Sequence, residues 1–136
     1  MLYGPKKTVK IEDGPIAYFD VDDTLVMWEP LDPATDSTVE AIPFLDPNDG
    51  STIFLQPHRK HIKMLKRHAL SGHKIVVWSH GGSDWAEAVV DQLNLRGYVD
   101  VIMSKPSWYY DDLPSGEFLP GSSRKYFLDK KWGDNE

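Results

Sequence analysis

Residues 16–21, Ile-Ala-Tyr-Phe-Asp-Val, run apolar until they meet aspartate, and two more aspartates follow at 22 and 23. An unbroken apolar run that ends in acid reads as a strand buried on both faces, the kind found inside a parallel sheet. A chain with such a strand must also supply helices to cover it. Residues 58–72 place Ile62, Leu65, Ala69 and Leu70 at helical spacing and end on Gly72, a residue suited to a helix C-cap. Residues 73–79, His-Lys-Ile-Val-Val-Trp-Ser, form a second buried run. The chain then turns on glycine, offers Ser83 or Asp84 as a helix cap, and carries Trp85, Ala88, Val89 and Leu93 along one side. Further extended segments are expected at 8–11, 51–57, 98–103 and 107–112, with Pro57 in the first turn of the helix it precedes.

Strands alternating with helices of roughly 13 residues predict an α/β fold, a Rossmann-like parallel sheet with flanking helices. At 136 residues the chain is expected to form one domain, residues 1–136, with room for a core. Residues 28–51 hold Pro30, Pro33, Pro43 and Pro47 and close on Asp-Pro-Asn-Asp-Gly-Ser, which predicts a loop or small flap, not a second domain. From about residue 114 the sequence is a polar tail.

Composition narrows the partners. A formal net charge of −6 disfavours an extended nucleic-acid track, which needs a basic face. It leaves room for a small anionic substrate held by a metal ion and one or two cations. With no cysteine, there is no disulfide framework, thiolate metal site or thiol nucleophile. No apolar stretch approaches the ~18 residues of a membrane span, and the first ten residues lack a signal-peptide core. A soluble cytoplasmic protein is the expectation, with the oligomeric state unreadable.

In parallel α/β sheets ligands bind beyond the carboxyl ends of the strands. The polar residues expected there are Asp20 with Asp22, then Ser79, then Asp111 with Asp112, with Lys105 just before the last strand. Crowded carboxylates repel one another unless a cation lies among them, and Mg²⁺ prefers oxygen ligands. A phosphoryl group calls for that same cation, an ammonium and hydrogen-bond donors such as Ser79. An aspartate can attack phosphorus, and a second carboxylate two residues on can protonate the leaving oxygen and then activate water.

These residues carry a resemblance. "FDVDDTLV" resembles the first motif of the haloacid dehalogenase superfamily, Asp-x-Asp-x-Thr after apolar residues. "KIVVWS" resembles its second motif, Lys105 its third and "YYDD" its fourth, so the match spans residues 16–112 in the right order. The resemblance implies a Mg²⁺-dependent phosphatase in which Asp20 is nucleophile and metal ligand. Asp22 would be general acid/base and would also offer its backbone carbonyl to the metal, while Asp111 and Asp112 would complete the metal site. Thr24 would steady the motif turn, and Ser79, His80, Gly81 and Lys105 would meet the substrate. Only five residues separate Lys105 from Asp111, a spacing similar to the compact, capless 5′(3′)-deoxyribonucleotidases and small phage or bacterial phosphatases. Arg59, Lys60 and Arg67 are the alternative cations.

The implied substrate is a nucleotide or a polynucleotide end, held by its last nucleotide or two; another phosphometabolite is the alternative. A receiver-like phosphate-binding module is the competing non-enzyme class, but receivers carry the acidic pair and the phosphoacceptor in the reverse order. Dehalogenases of the superfamily lack an acid at the position of Asp22. Other residues carry plainer expectations. Asp23 reads as a cap or surface acid, and His58, His61, His68 and His73 as a solvated helix face. Trp78, Trp85, Trp108, Tyr109 and Tyr110 read as core, and Trp28 as an aromatic able to stack on a substrate ring.

Overall fold

A computed structural model describes residues 4, 6–28 and 40–113. The flap residues 29–39 and the tail from 114 lie outside the described residues.

The central strand of the fold is β5, Lys74–Ser79, whose Ile75, Val76 and Val77 are completely or almost completely buried. It pairs in parallel with β1, Ile16–Asp20, on one side and with β6, Val101–Ser104, on the other. The register sets Asp20 beside Trp78 and Ser79 beside Ser104, so the three strands end together. Two helices pack on this sheet: α1, Arg59–Leu70, against β5, and α2, Ser83–Gln92, against β5 and β6. The protein is therefore an α/β fold with a three-stranded parallel sheet flanked by helices, as the alternation of apolar runs predicted.

The core draws Phe19, Ile75 and Val77 from alternate strand positions, Ile62 and Leu65 from α1, and Trp85, Ala86, Val89 and Val90 from α2. Leu65 is fully buried, and its truncation to alanine is expected to cost about 2–5 kcal/mol. β1 is not buried on both faces: Phe19 turns into the core, whereas Tyr18 is half-exposed and lies against the Trp78 ring, centroids 4.6 Å apart. Among the described residues β1 is the edge strand of this sheet, paired with β5 alone, and so is less covered than the central strand. Leu70, placed by its spacing on the apolar side of α1, is exposed at the last turn.

A second sheet interrupts the βα alternation. β4, Thr52–Pro57, runs antiparallel to both β3, Ile42–Leu45, and the two-residue β2, Val26–Met27. The flap is thus partly strand. Its turn is closed by Asp46 N–H to the Ser51 carbonyl and Gly50 N–H to the Asp46 carbonyl, both at 2.8 Å, with Gly50 in the left-handed region at φ 76°. Phe44 anchors β3 on Trp85 at 6.3 Å, and Gln92 Nε2 donates to the Pro43 carbonyl at 2.8 Å.

Other local expectations are corrected. Residues 8–11 and 107–112 form no strand, and residues 96–98 form a 3₁₀ turn, so β6 begins only at Val101. Pro57 closes β4, and His58 is the N-cap of α1. α2 is capped by Gly82, at φ 100°, not by Ser83 or Asp84. Ser83 N–H instead donates to the Ser104 hydroxyl oxygen at 2.9 Å, tying the helix start to the end of β6.

Candidate active site

The site begins where β1 ends. After Asp20 the chain folds into a tight turn in which the Val21 carbonyl accepts from Thr24, Leu25 and Val26 N–H at 3.2, 2.9 and 3.2 Å. Asp23 makes the reversal possible with φ 60°, a conformation that aspartate tolerates better than most residues. Its carboxylate accepts the Trp28 N–H at 3.0 Å, so it is a turn-former. Thr24 is buried, and its hydroxyl donates to Asp20 Oδ2 at 3.1 Å. Its hydroxyl is thus turned onto the Asp20 carboxylate.

Lys105 reaches the same carboxylate from β6. Its backbone N–H donates to the Ser79 carbonyl at 3.0 Å, extending the sheet by one residue, and its Nζ lies 3.0 Å from Asp20 Oδ1. Asp20 thus has one oxygen held by a hydroxyl and the other by an ammonium. The Lys105 Nζ also sits 5.9 Å from the Trp78 ring centroid.

Asp22 is held by residues from three other segments. Ser79, fully buried at the end of β5, donates from Oγ to Asp22 Oδ2 at 3.0 Å. The indole N–H groups of Trp28 and Trp85 both donate to Asp22 Oδ1, at 2.8 and 2.9 Å. Gly81 N–H in turn donates to Ser79 Oγ at 2.9 Å. Gly81 is closely packed: a Cβ there would meet Trp85 Cδ1 at 3.0 Å and Ser79 Oγ at 3.3 Å, so those side chains would have to give way to any larger residue.

A cleft of about 260 Å³ opens beside Asp22, lined by Asp22, Trp28, Asp46, Asn48, Gly81 and Trp85. Asn48 comes from the β3–β4 turn, where Asp46 Oδ1 accepts the Asn48 N–H at 2.9 Å. The Asn48 side-chain amide reaches the Gly81 carbonyl at 3.5 Å, so the turn stands beside the phosphate-binding candidates. Trp28 is 47% exposed, leaving part of its ring open to the cleft.

The structure therefore brings together Asp20, Asp22, Thr24, Ser79, Gly81 and Lys105 from the candidate set. His80 is exposed beside Ser79 and does not line the cleft. Asp111 and Asp112 lie in an exposed irregular segment, where Asp111 Oδ1 accepts the Leu113 N–H at 2.9 Å. Among the described residues, no three His, Asp or Glu side chains gather as a cation site.

Sequence reasoning missed Trp85, Asp46 and Asn48. Trp85 had a usable signal, lying just past the glycines that follow Ser79 at the sheet edge. It also misread the histidines. His58 and His61 are not solvated but fully or almost fully buried, stacked with centroids 3.4 Å apart and planes 2° from parallel. Trp108 and Tyr110, expected in the core, are 80% and 94% exposed.

Comparison with protein-family models, curated proteins and solved structures returned no match to this chain. Among the described residues, no helix is long and apolar enough to cross a membrane.

Proposed function

We propose that the protein is a phosphomonoester hydrolase of the haloacid dehalogenase type with a minimal cap, acting on a nucleotide or a polynucleotide end. The observation that carries this reading is the convergence of three separated segments, at residues 20–22, 79 and 105, on one sheet edge. Lys105 Nζ lies 3.0 Å from Asp20, and Ser79 Oγ lies 3.0 Å from the Asp22 carboxylate. A carboxylate nucleophile, a second carboxylate, a hydroxyl and an ammonium are the parts that phosphoryl transfer through an aspartyl ester needs.

In this mechanism an Asp20 oxygen forms a bond to phosphorus while the bond to the leaving oxygen breaks. Asp22 delivers a proton to that oxygen. Water then attacks the phosphorus of the aspartyl-phosphate, Asp22 takes a proton from it, and Asp20 is released with inorganic phosphate. The Lys105 ammonium moves its attraction from Asp20 to the phosphoryl oxygens. Ser79 Oγ, a rotatable donor and acceptor, follows the protonation state of Asp22. The indoles of Trp28 and Trp85 hold the Asp22 carboxylate at Oδ1, and Ser79 holds it at Oδ2.

The Asp20 carboxylate and the Asp22 backbone carbonyl would be the protein's oxygen donors to Mg²⁺, an ion commonly held by one or two carboxylates with water and phosphate oxygens. Bound there, it would neutralise charge developing on the phosphoryl group. The exposed Trp28 ring supports a base-bearing substrate, since stacking contributes about 1–3 kcal/mol per base.

Turnover of p-nitrophenyl phosphate with and without Mg²⁺, followed by a panel of nucleotides, phosphorylated oligonucleotides and sugar phosphates, tests the reading. Trp28→Ala is expected to lower kcat on all substrates through Asp22, and to raise KM about fivefold or more only where a base is present. Phosphate binding without turnover would make the protein a binding module. A preference for sugar phosphates would remove the nucleotide reading.

A further inference from the structure

We infer that His61, buried behind the site and outside the chemistry described above, is a positioning residue for Asp20. The inference rests on the phosphatase reading, and its chain of contacts is short. The His61 Nδ1 lies 2.6 Å from the Thr24 carbonyl, and the Thr24 hydroxyl donates to Asp20 Oδ2 at 3.1 Å. A carbonyl oxygen only accepts, so His61 carries its proton on Nδ1 and donates it. The tautomer of its neighbour is equally determined. His61 N–H donates to His58 Nδ1 at 3.3 Å, so that nitrogen is a bare acceptor and His58 caps α1 with its imidazole.

The stack has a geometric purpose. His58 N–H donates to the Leu25 carbonyl at 2.8 Å, while His61 takes the carbonyl one residue earlier. Two successive carbonyls of the turn after Asp20 are thus bound by the first turn of α1. The rings stack 3.4 Å apart and nearly parallel, so the His58 ring holds the His61 imidazole in the plane from which it reaches the Thr24 carbonyl. The turn contains Asp23 in the left-handed region, a strained conformation that persists where its surroundings over-determine it. His61 supplies part of that determination. When its hydrogen bond is lost, Thr24 and the Asp20 carboxylate it orients gain freedom where the nucleophile must be held in line with phosphorus.

Misplacement of a reacting group by about 1 Å can cost on the order of 10²-fold in rate, and the loss falls on kcat, not on substrate affinity. His61→Phe keeps an aromatic ring on His58 but removes the donor. It is expected to lower kcat on p-nitrophenyl phosphate by about 10- to 100-fold with KM changed less than about twofold. His61→Asn places an amide N–H where Nδ1 stands and is expected to recover kcat to within a few-fold of wild type. His61→Gln places its amide nearer the Nε2 position and is expected to remain impaired. Amide hydrogen exchange read on the same variants is independent of activity. Faster exchange of Thr24, Leu25 and Val26 in His61→Phe, reversed in His61→Asn and absent from β5, is the expected pattern. Wild-type protein inert toward phosphate esters would sink the phosphatase reading alone, and the exchange pattern would still decide whether His61 holds the turn. Unchanged exchange and kcat in His61→Phe would overturn the positioning role. If His61→Phe does not fold, equal behaviour of His61→Asn and His61→Gln overturns it, and recovery by Asn alone upholds it.

Discussion

Asp20 with Asp22 and Asp111 with Asp112 look alike as sequence: acids following an apolar or aromatic run. In space they differ in who holds them. Asp20 and Asp22 accept from Thr24, Ser79, Trp28 and Trp85, and Asp20 pairs with Lys105. Among the described residues, Asp111 accepts a hydrogen bond from the residue two places on, which orders its own turn. The difference teaches what makes a carboxylate a candidate for chemistry. Donors arriving from separate segments remove rotational freedom at a fixed place, whereas a local turn bond does not.

The largest expected effect tests the first pair. Asp20→Asn should retain the fold, since an amide still accepts from Thr24, but lower turnover by several orders of magnitude, because an amide does not attack phosphorus. Retention of more than about a tenth of the wild-type rate would break the assignment.

Asp22→Asn should cost about 10²- to 10⁴-fold, the usual range for a general acid/base. Attack on a substrate with a good leaving group should survive while water activation fails. Acid-quenched mass spectrometry is then expected to find a phosphoryl adduct on Asp20, and an adduct on Asp111 would reverse the comparison.

For Asp111→Ala with Asp112→Ala the effect should be far smaller. Exposed charges contribute at most about 1 kcal/mol to a neighbour, so the Mg²⁺ concentration for half-maximal rate should rise no more than about fivefold. A loss as deep as that of Asp20→Asn would mean that this segment moves onto the site when metal and substrate bind.

The smallest effect lies away from both acid pairs and calibrates pH experiments on them. Partial burial, and then the His73 ring with its Nδ1 2.9 Å away, hold the His68 imidazole below its ordinary value of 6.5. A base with a depressed folded pKa binds fewer protons folded than unfolded. The stability it contributes is therefore complete above pH 6.5 and lost as pH falls through the folded value. The melting temperature of His68→Phe should fall less than that of wild type between pH 7 and 5. An equal fall would place the acid sensitivity elsewhere.

Much of this arrangement was legible in the residues. The apolar runs ending at Asp20 and Ser79, the helical spacing of Ile62 and Leu65, and the turn signal at 46–51 are local patterns, each carried within about ten residues, and each formed the expected kind of element. Parallel strands that end together then bring Asp20, Ser79 and Lys105 to one edge, which is why those site residues were readable. Residues 107–112 mimicked a strand because aromatic residues favour strands wherever they occur, but a strand also needs a neighbour to bond, and β6 supplies none to them in the described structure.

What only the tertiary structure decided depends on contacts between distant segments. The indole of Trp85 reaches Asp22 across 63 residues of sequence, and the His61 ring reaches the Thr24 carbonyl across 37. No periodicity encodes such a meeting. Polar histidines at the start of a helix read as solvated until the turn after β1 presents two carbonyls to that helix end. Burial is then stabilised because each ring makes a hydrogen bond. The sequence by itself determined the apolar strands that end at Asp20 and Ser79 and the helices that cover them. The packing of α1 and α2 against those strand ends decided which acids are held, and by whom.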